Sequence, residues 1–255
     1  MTTLSDGDIR DRIAAGELIR QGLDAQIGPA CYELRMGTVY YDLTEGDRRI
    51  DAAPHGTVLI KPGHRVVLIT QEELVVPLNI IARVTSKGSL FSVGLSPVST
   101  YADPGFSGNI GIVTQNLSDK FIELPIGESI AKVDFSLLSN EVERPYRGQH
   151  GFQTQIWPIR HQLQRTYNDL KGDVRVQSEV TESYKILPRA TASALREIQK
   201  KQRTVDVAIF AALIVNFLVL AAVSTKFVDT TVSLIVNLVS TALLGAFAWI
   251  SRIKE

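Results

Sequence analysis

The sequence predicts a mainly β domain followed by a helical linker and two transmembrane α-helices. Three features carry that expectation. Between Tyr32 and Leu138, short alternating or apolar runs recur between Gly/Pro turns. After Pro188 the pattern becomes helical. The chain then closes on two apolar runs without a charged residue.

In chain order, "LSDGDIRDRIAAGELI" (4–19) reads as a short amphipathic helix, with Ser5 or Asp6 as cap and Ile9 and Ile13 on one face. The runs "TVLI", "HRVVLI", "IARV", "NIGIV", "FIEL" and "IAKVDFSLL" follow, separated by "KPGH", "DPGFSG" and "PIGE". Many short strands with turns at such spacing predict a barrel or sandwich, not a parallel α/β sheet. "ERPYRGQHGFQTQIW" (143–157) is polar and glycine-bearing and reads as a tail or lid, while 160–187 carries no clear pattern. "RATASALREIQKKQRTVDV" reads as a helix running into the first apolar run. The resulting division is 1–157 for the β domain, 158–204 for the linker and 205–255 for the hairpin.

The apolar runs are "VAIFAALIVNFLVLAAV" (207–223) and "VSLIVNLVSTALLGAFAWI" (232–250), joined by "STKFVDTT". Each approaches the roughly 17–25 residues that cross about 30 Å of hydrocarbon, and the alternative is a pair of buried core helices. "REIQKKQR" before the first and "SRIKE" after the second put both outer ends on the cytoplasmic side of an inner (cytoplasmic) membrane, with the lipid bilayer as a partner. Asn216 and Asn237 lie mid-run at similar depth. They either hold one hairpin together or face an oligomeric membrane interface.

Composition narrows the chemistry. The 255 residues carry 27 Lys+Arg against 27 Asp+Glu, so no global field argues for nucleic acid as a partner. Cys31 is the single cysteine, which excludes an internal disulfide and multi-cysteine zinc sites. His55, His64, His150 and His161 show no metal-ligand spacing, and the H-x-E plus P-C-x-x-C set of zinc deaminases is absent, so no protein-held metal is expected. The start has no basic segment followed by an apolar run, and no cleaved signal peptide is expected.

"GPACYELRMG" (28–37), "TSKGSLFSVGL" (85–95), "YADPGFSGNI" (101–110), "PIGESIAKVDF" (125–135) and "YRGQHG" (146–151) occur in this order. Together they resemble the successive motifs of the dCTP deaminase and dUTPase superfamily, over about residues 1 to 157. The resemblance implies a dUTPase-like distorted jelly-roll β-barrel, assembled as a homotrimer or a multiple of it. A pyrimidine deoxynucleoside triphosphate would bind between subunits, with Mg²⁺ on its phosphates. Superfamily members either deaminate cytosine or attack the α-phosphate with water to release pyrophosphate.

By this resemblance Lys87, Gly88 and Ser89 meet phosphate oxygens, the alternative being a hairpin with a solvated lysine. Asp103 matches the aspartate placed at the nucleotide sugar; it is catalytic only if the protein is a hydrolase, and otherwise holds a ligand or begins a turn. Tyr146, Arg147 and Gln149 match a lid over the triphosphate, the alternative being a solvated linker. Two departures count against deamination. The deaminase glutamate that moves protons falls at Val113, and the arginines of the serine-rich motif fall at Lys87 and Ser92.

Three functions remain open at this level. The first is a membrane-anchored nucleotide sensor or effector, of the kind that serves bacterial antiviral defence signalling by analogy with other sensor-plus-hairpin proteins. The second is a membrane-tethered pyrimidine nucleoside triphosphate pyrophosphatase using Asp103. The third is an assembly platform with an empty pocket.

Overall fold

The computed structural model of the chain describes residues 2–148, 161–225 and 229–253, with the side chains of Asn237 and several later residues of the last helix outside that description. The chain divides into two units, Met1–Arg160 and His161–Glu255, each taken by itself below.

The first unit runs β1 (Thr2–Thr3), α1 (Asp6–Ala14), β2 (Leu18–Arg20), β3 (Ile27–Gly28), β4 (Cys31–Asp42), β5 (Arg48–Asp51), β6 (Thr57–Ile60), β7 (Arg65–Val75) and β8 (Ile80–Ser86). It continues through α2 (Gly88–Ser92), β9 (Ser99–Ala102), β10 (Ser107–Gln115), β11 (Ile122–Pro125) and β12 (Ser129–Leu137). The unit is mainly β. A curled ten-stranded sheet follows the path β10-β7-β4-β12-β8-β9, with β1 on β12, β2 on β7, and β3 and β5 on β4; β11 and β6 form a separate pair. Among the described residues the strand pairings of both sheets are antiparallel.

Period-2 alternation places the core. Tyr32 and Leu34 on β4, Val84 and Ala82 on β8, and Val133 and Phe135 on β12 are buried. Their neighbours Glu33, Arg83 and Lys132 stand on the opposite face, ion-paired at the surface. β7 is buried over Val66–Thr70, and Val67 and Ile69 join Val39 and Tyr41 in a smaller second cluster.

The predicted N-terminal helix is shorter than its pattern. Ser5 caps it and forms a capping box with Asp8, but the helix stops at Ala14, because Gly16 adopts a left-handed φ of +83° that a helix cannot continue through. Leu18–Arg20 then joins the sheet edge against β7.

The second unit holds α3 (Glu179–Ile186), α4 (Arg189–Ser224) and α5 (Thr230–Ile253), after short 3₁₀ turns at His161–Leu163 and Asn168–Leu170. Ser178 caps α3, whose Tyr184 ring lies 5.0 Å from the Arg196 guanidinium of α4. The helix expected after Pro188 does run on without a break into the first apolar run, 36 residues or roughly 54 Å in all. Among the described residues α4 is the one helix long and apolar enough to cross a membrane, and none of its most apolar window is buried. α5 packs beside α4 and is apolar over Thr230–Ala242.

Candidate functional site

The stretch Asp103-Pro104-Gly105-Phe106 closes a tight turn, the Phe106 N–H donating to the Asp103 carbonyl at 2.9 Å. Proline presets the second position, and Gly105 takes the left-handed third position at φ +89°. Reciprocal backbone bonds tie the turn to the end of β7: Gly105 N–H to Val76 O, and Val76 N–H to Phe106 O, both 2.9 Å. A Cβ on Gly105 would stand 3.0 Å from Pro145 Cβ and 3.3 Å from Tyr146 N, so the returning chain also requires glycine here. Tyr146 N–H donates to the Pro104 carbonyl at 2.8 Å, and its ring packs on Phe106 with centroids 5.6 Å apart.

Beside this turn lies a cleft of about 370 Å³ whose walls include Val98, Tyr101, Asp103, Ile110, Val113 and Tyr146. The size suits a nucleoside-sized ligand. Asp103 is exposed, and among the described residues its carboxylate has no hydrogen-bond or ion-pair partner. Val113 projects from β10 into the same cleft at 37% exposure, while its neighbours Ile112 and Thr114 are buried. The cleft therefore offers one carboxylate that can accept bonds from hydroxyls, the Thr100 hydroxyl, and apolar and aromatic walls for a flat ring. Among the described residues that wall the cleft, Asp103 is the one carboxylate.

The other candidates fall elsewhere on the chain. Lys87 precedes α2, and its ammonium is 2.8 Å from Glu33 Oε2. The serine-rich motif is thus a helical turn with a paired lysine, not a hairpin with a solvated one, because the outward face of β4 presents a carboxylate at that height. Gly88 is open: a Cβ there would meet nothing within 4 Å among the described residues. Ser89 lines a second cleft of about 400 Å³, together with Val93, Phe121 and Glu128. Arg147 is exposed, and Gln149 lies outside the described residues. In a single chain, Asp103, Val113 and Tyr146 share one cleft, and Lys87, Gly88 and Ser89 are not among the described residues that line it.

In the helical unit the Ser240 hydroxyl of α5 donates to Asn216 Oδ1 of α4 at 3.0 Å. The side chain of Asn237 lies outside the described residues.

Two polar knots carry no local signature in the sequence. Asp42, Glu45 and His64 bring potential ligand atoms within 4.8 Å of one another. Asp42 Oδ1 accepts from the Thr44 and Glu45 N–H groups, Oδ2 is 2.8 Å from His64 Nδ1, and Glu45 pairs with Lys61. Burial pushes the Asp42 carboxyl up, but the bonds from His64, Glu45 and Thr44 outweigh it and leave the carboxyl below its usual range. The second knot is Glu72, fully buried, with Oε1 2.6 Å from Arg35 Nε and Oε2 accepting the Arg35 N–H at 2.8 Å. Nearby, burial first, then the Glu72 charge, push the Tyr32 hydroxyl up to about 12, against the opposing bond from Leu23 N–H.

Residues 3–138 match the sequence profile of a family described as dCTP deaminase-like. A dCTP deaminase of Natronomonas pharaonis is 28% identical over 184 residues, covering 63% of this chain and 94% of that protein. A dCTP deaminase of the dUMP-forming kind from Beutenbergia cavernae is 30% identical over 160 residues, covering 56% of this chain and 83% of that protein. The crystal structure of the 2'-deoxycytidine 5'-triphosphate deaminase of Agrobacterium tumefaciens superimposes with TM-score 0.46 at 17% identity, over 53% of this chain and 47% of that one. With more than half of its length matched by that profile, the chain belongs to the dCTP deaminase-like family.

Proposed function

We propose that this protein is a membrane-anchored nucleotide sensor or effector: its β domain binds a pyrimidine nucleotide without deaminating it, and its C-terminal helices carry the response in the bilayer. One observation supports this above the others. The cleft that holds an unpartnered Asp103 is walled by Val113, where the resemblance puts the glutamate of the deaminases. The site keeps a group that can hold a sugar hydroxyl and lacks one that can carry protons to a cytosine ring. Asp103 therefore holds the ligand.

Assembly as a homotrimer, or a multiple of it, fits the separation of the candidates into two clefts: Asp103 and Tyr146 of one copy would share a nucleotide with Ser89 of another. The second cleft, where Val93 and Phe121 are 51% and 64% exposed, supplies apolar surface for such a contact. Mg²⁺ fits as a passenger on the triphosphate: among the described residues Asp103 is the one carboxylate lining the first cleft, too little for a protein-built cation cage. It would neutralise phosphate charge there.

α4 supports anchoring, and α5 would return the chain to the cytoplasmic side of an inner membrane, with Asn216 and Asn237 at the membrane interface. Service in bacterial antiviral defence rests on architecture alone.

A second reading is a dUTPase-like pyrophosphatase, favoured by the open Asp103 carboxylate, which could orient a water. The full chain in detergent micelles, incubated with dCTP, dUTP or dTTP and Mg²⁺, separates the two. A melting shift without product is the expected result. Pyrophosphate release establishes the hydrolase, and ammonia release from dCTP overturns both.

A further inference from the structure

Three strands arrange a charged row on the outward face of the sheet. Glu33 stands on β4 between the buried Tyr32 and Leu34, Lys132 sits directly opposite on β12, and Lys87 follows Ser86, whose own partner on β12 is Ala131. The two ammonium groups approach different oxygens of one carboxylate, Lys87 at 2.8 Å from Oε2 and Lys132 at 3.5 Å from Oε1. Ser129, whose hydroxyl donates to Gln26 Oε1 at 2.9 Å, lies beside the same carboxylate. The Lys87 bond, against the opposing effect of burial, and then Ser129 and Lys132, hold the Glu33 carboxyl below its usual range, so it is ionised at neutral pH.

Two features set this cluster apart from an ordinary surface ion pair. Two cations face one anion, which leaves a net positive charge at a spot still about a quarter to a half exposed. The carboxylate also presents two oxygens, each to its own ammonium, as a terminal phosphate would. Lysines bind as point charges on flexible stems, so both can swing from one anion to another without the fixed geometry an arginine fork demands.

We propose that Lys87 and Lys132 form a polyphosphate-binding pair and that Glu33 occupies the phosphate position in the ligand-free chain as an internal competitor. The inference rests on the nucleotide-binding reading above and adds to it Lys132 as a ligand contact and Glu33 as an opponent of binding. A triphosphate carries three to four negative charges against one on Glu33, so it outcompetes the carboxylate, while a singly charged anion does not. Glu33 thereby sets a threshold of ligand charge.

The test uses calorimetric titration of the full chain in detergent micelles at low salt, with sodium tripolyphosphate and separately with dUTP, with and without Mg²⁺. Glu33→Gln should bind tripolyphosphate about fivefold tighter than the parent, in line with release of a weak surface pair. Glu33→Ser should move the same way, and Lys132→Met alone should bind it more weakly. Glu33 variants that bind tripolyphosphate no tighter, or that bind dUTP more weakly only with Mg²⁺ present, overturn the proposal, the latter by making Glu33 a cation ligand. Tighter tripolyphosphate with no dUTP binding in any variant keeps this inference and removes the nucleotide reading. Bound dUTP in the parent with unchanged Glu33 variants does the reverse.

Discussion

The β unit and the helical unit solve the same problem, polar groups among apolar ones, in opposite ways. In the β unit, Glu72 and Asn116 are fully buried and Asp42 nearly so, and each spends its oxygens or amide protons on several partners. Around them Phe135, Leu34 and Ile60 are removed from water. In the helical unit, Phe210, Phe217 and Leu220 are 66–71% exposed, and among the described residues Asn216 is bonded by Ser240 of α5. The two units therefore draw their stability from different places. The first has an interior of its own; the second presents apolar surface outward, which is the surface the proposed membrane anchoring would cover.

The contrast is sharpest under substitution of single residues. Glu72→Ala strands the Arg35 guanidinium, itself only 13% exposed, and should cost about 3–5 kcal/mol in denaturant unfolding of the full chain in micelles. Leu218→Ala, at 59% exposure in α4, should change the same transition by less than about 0.5 kcal/mol. Equal effects would erase the distinction between the units.

Next in size is the ligand site. Asp103→Asn should weaken nucleotide binding at least about tenfold, from the loss of a charge-assisted bond. Because that carboxylate has no partner among the described residues, the melting temperature should stay within about 2 °C of the parent. A large drop in melting would make Asp103 a fold residue instead.

A smaller effect belongs to the hairpin. Asn216→Leu should weaken helix pairing in micelles by about 0.6–2 kcal/mol, followed by the melting of the helical circular dichroism signal. A double-mutant cycle with Ser240→Ala should return a coupling energy of the same sign, and a coupling of zero would remove the bond from the account.

The smallest is a pH effect. The Asp42 carboxyl is held below its usual range in the fold, so its contribution is complete above the ordinary carboxylate pKa and is lost as pH falls through the lowered value. His64→Leu removes one of the bonds that lower it, and the acid-unfolding midpoint should rise, by less than about one pH unit. A midpoint that stays put or falls would show that the Thr44 and Glu45 N–H bonds alone hold the charge.

Much of this architecture was legible in the order of residues. The alternating or apolar runs located β6, β8, β10, β11 and β12 to within about two residues at each end, since a sheet with one buried face forces period 2 on its side chains. The unbroken α4 was legible because a helical pattern and a charge-free apolar run meet without proline or glycine between them. The turn at Asp103 could be read because Pro-Gly admits few backbone shapes. What escaped is the partnering of side chains far apart in sequence. The run "HRVVLI" ends at Ile69, yet β7 continues to Val75 with Glu72 buried, because β4 delivers Arg35 beside it. Lys87 reads as a phosphate contact or a solvated lysine, and only the fold puts Glu33 of β4 within 2.8 Å of it. Val113, Asp103 and Tyr146 share a cleft only because β10 runs past the turn and the chain returns across Gly105. Local sequence determines which dihedrals and which face each residue takes; which charge meets which is decided by strand order and register, and those depend on contacts that no short window contains.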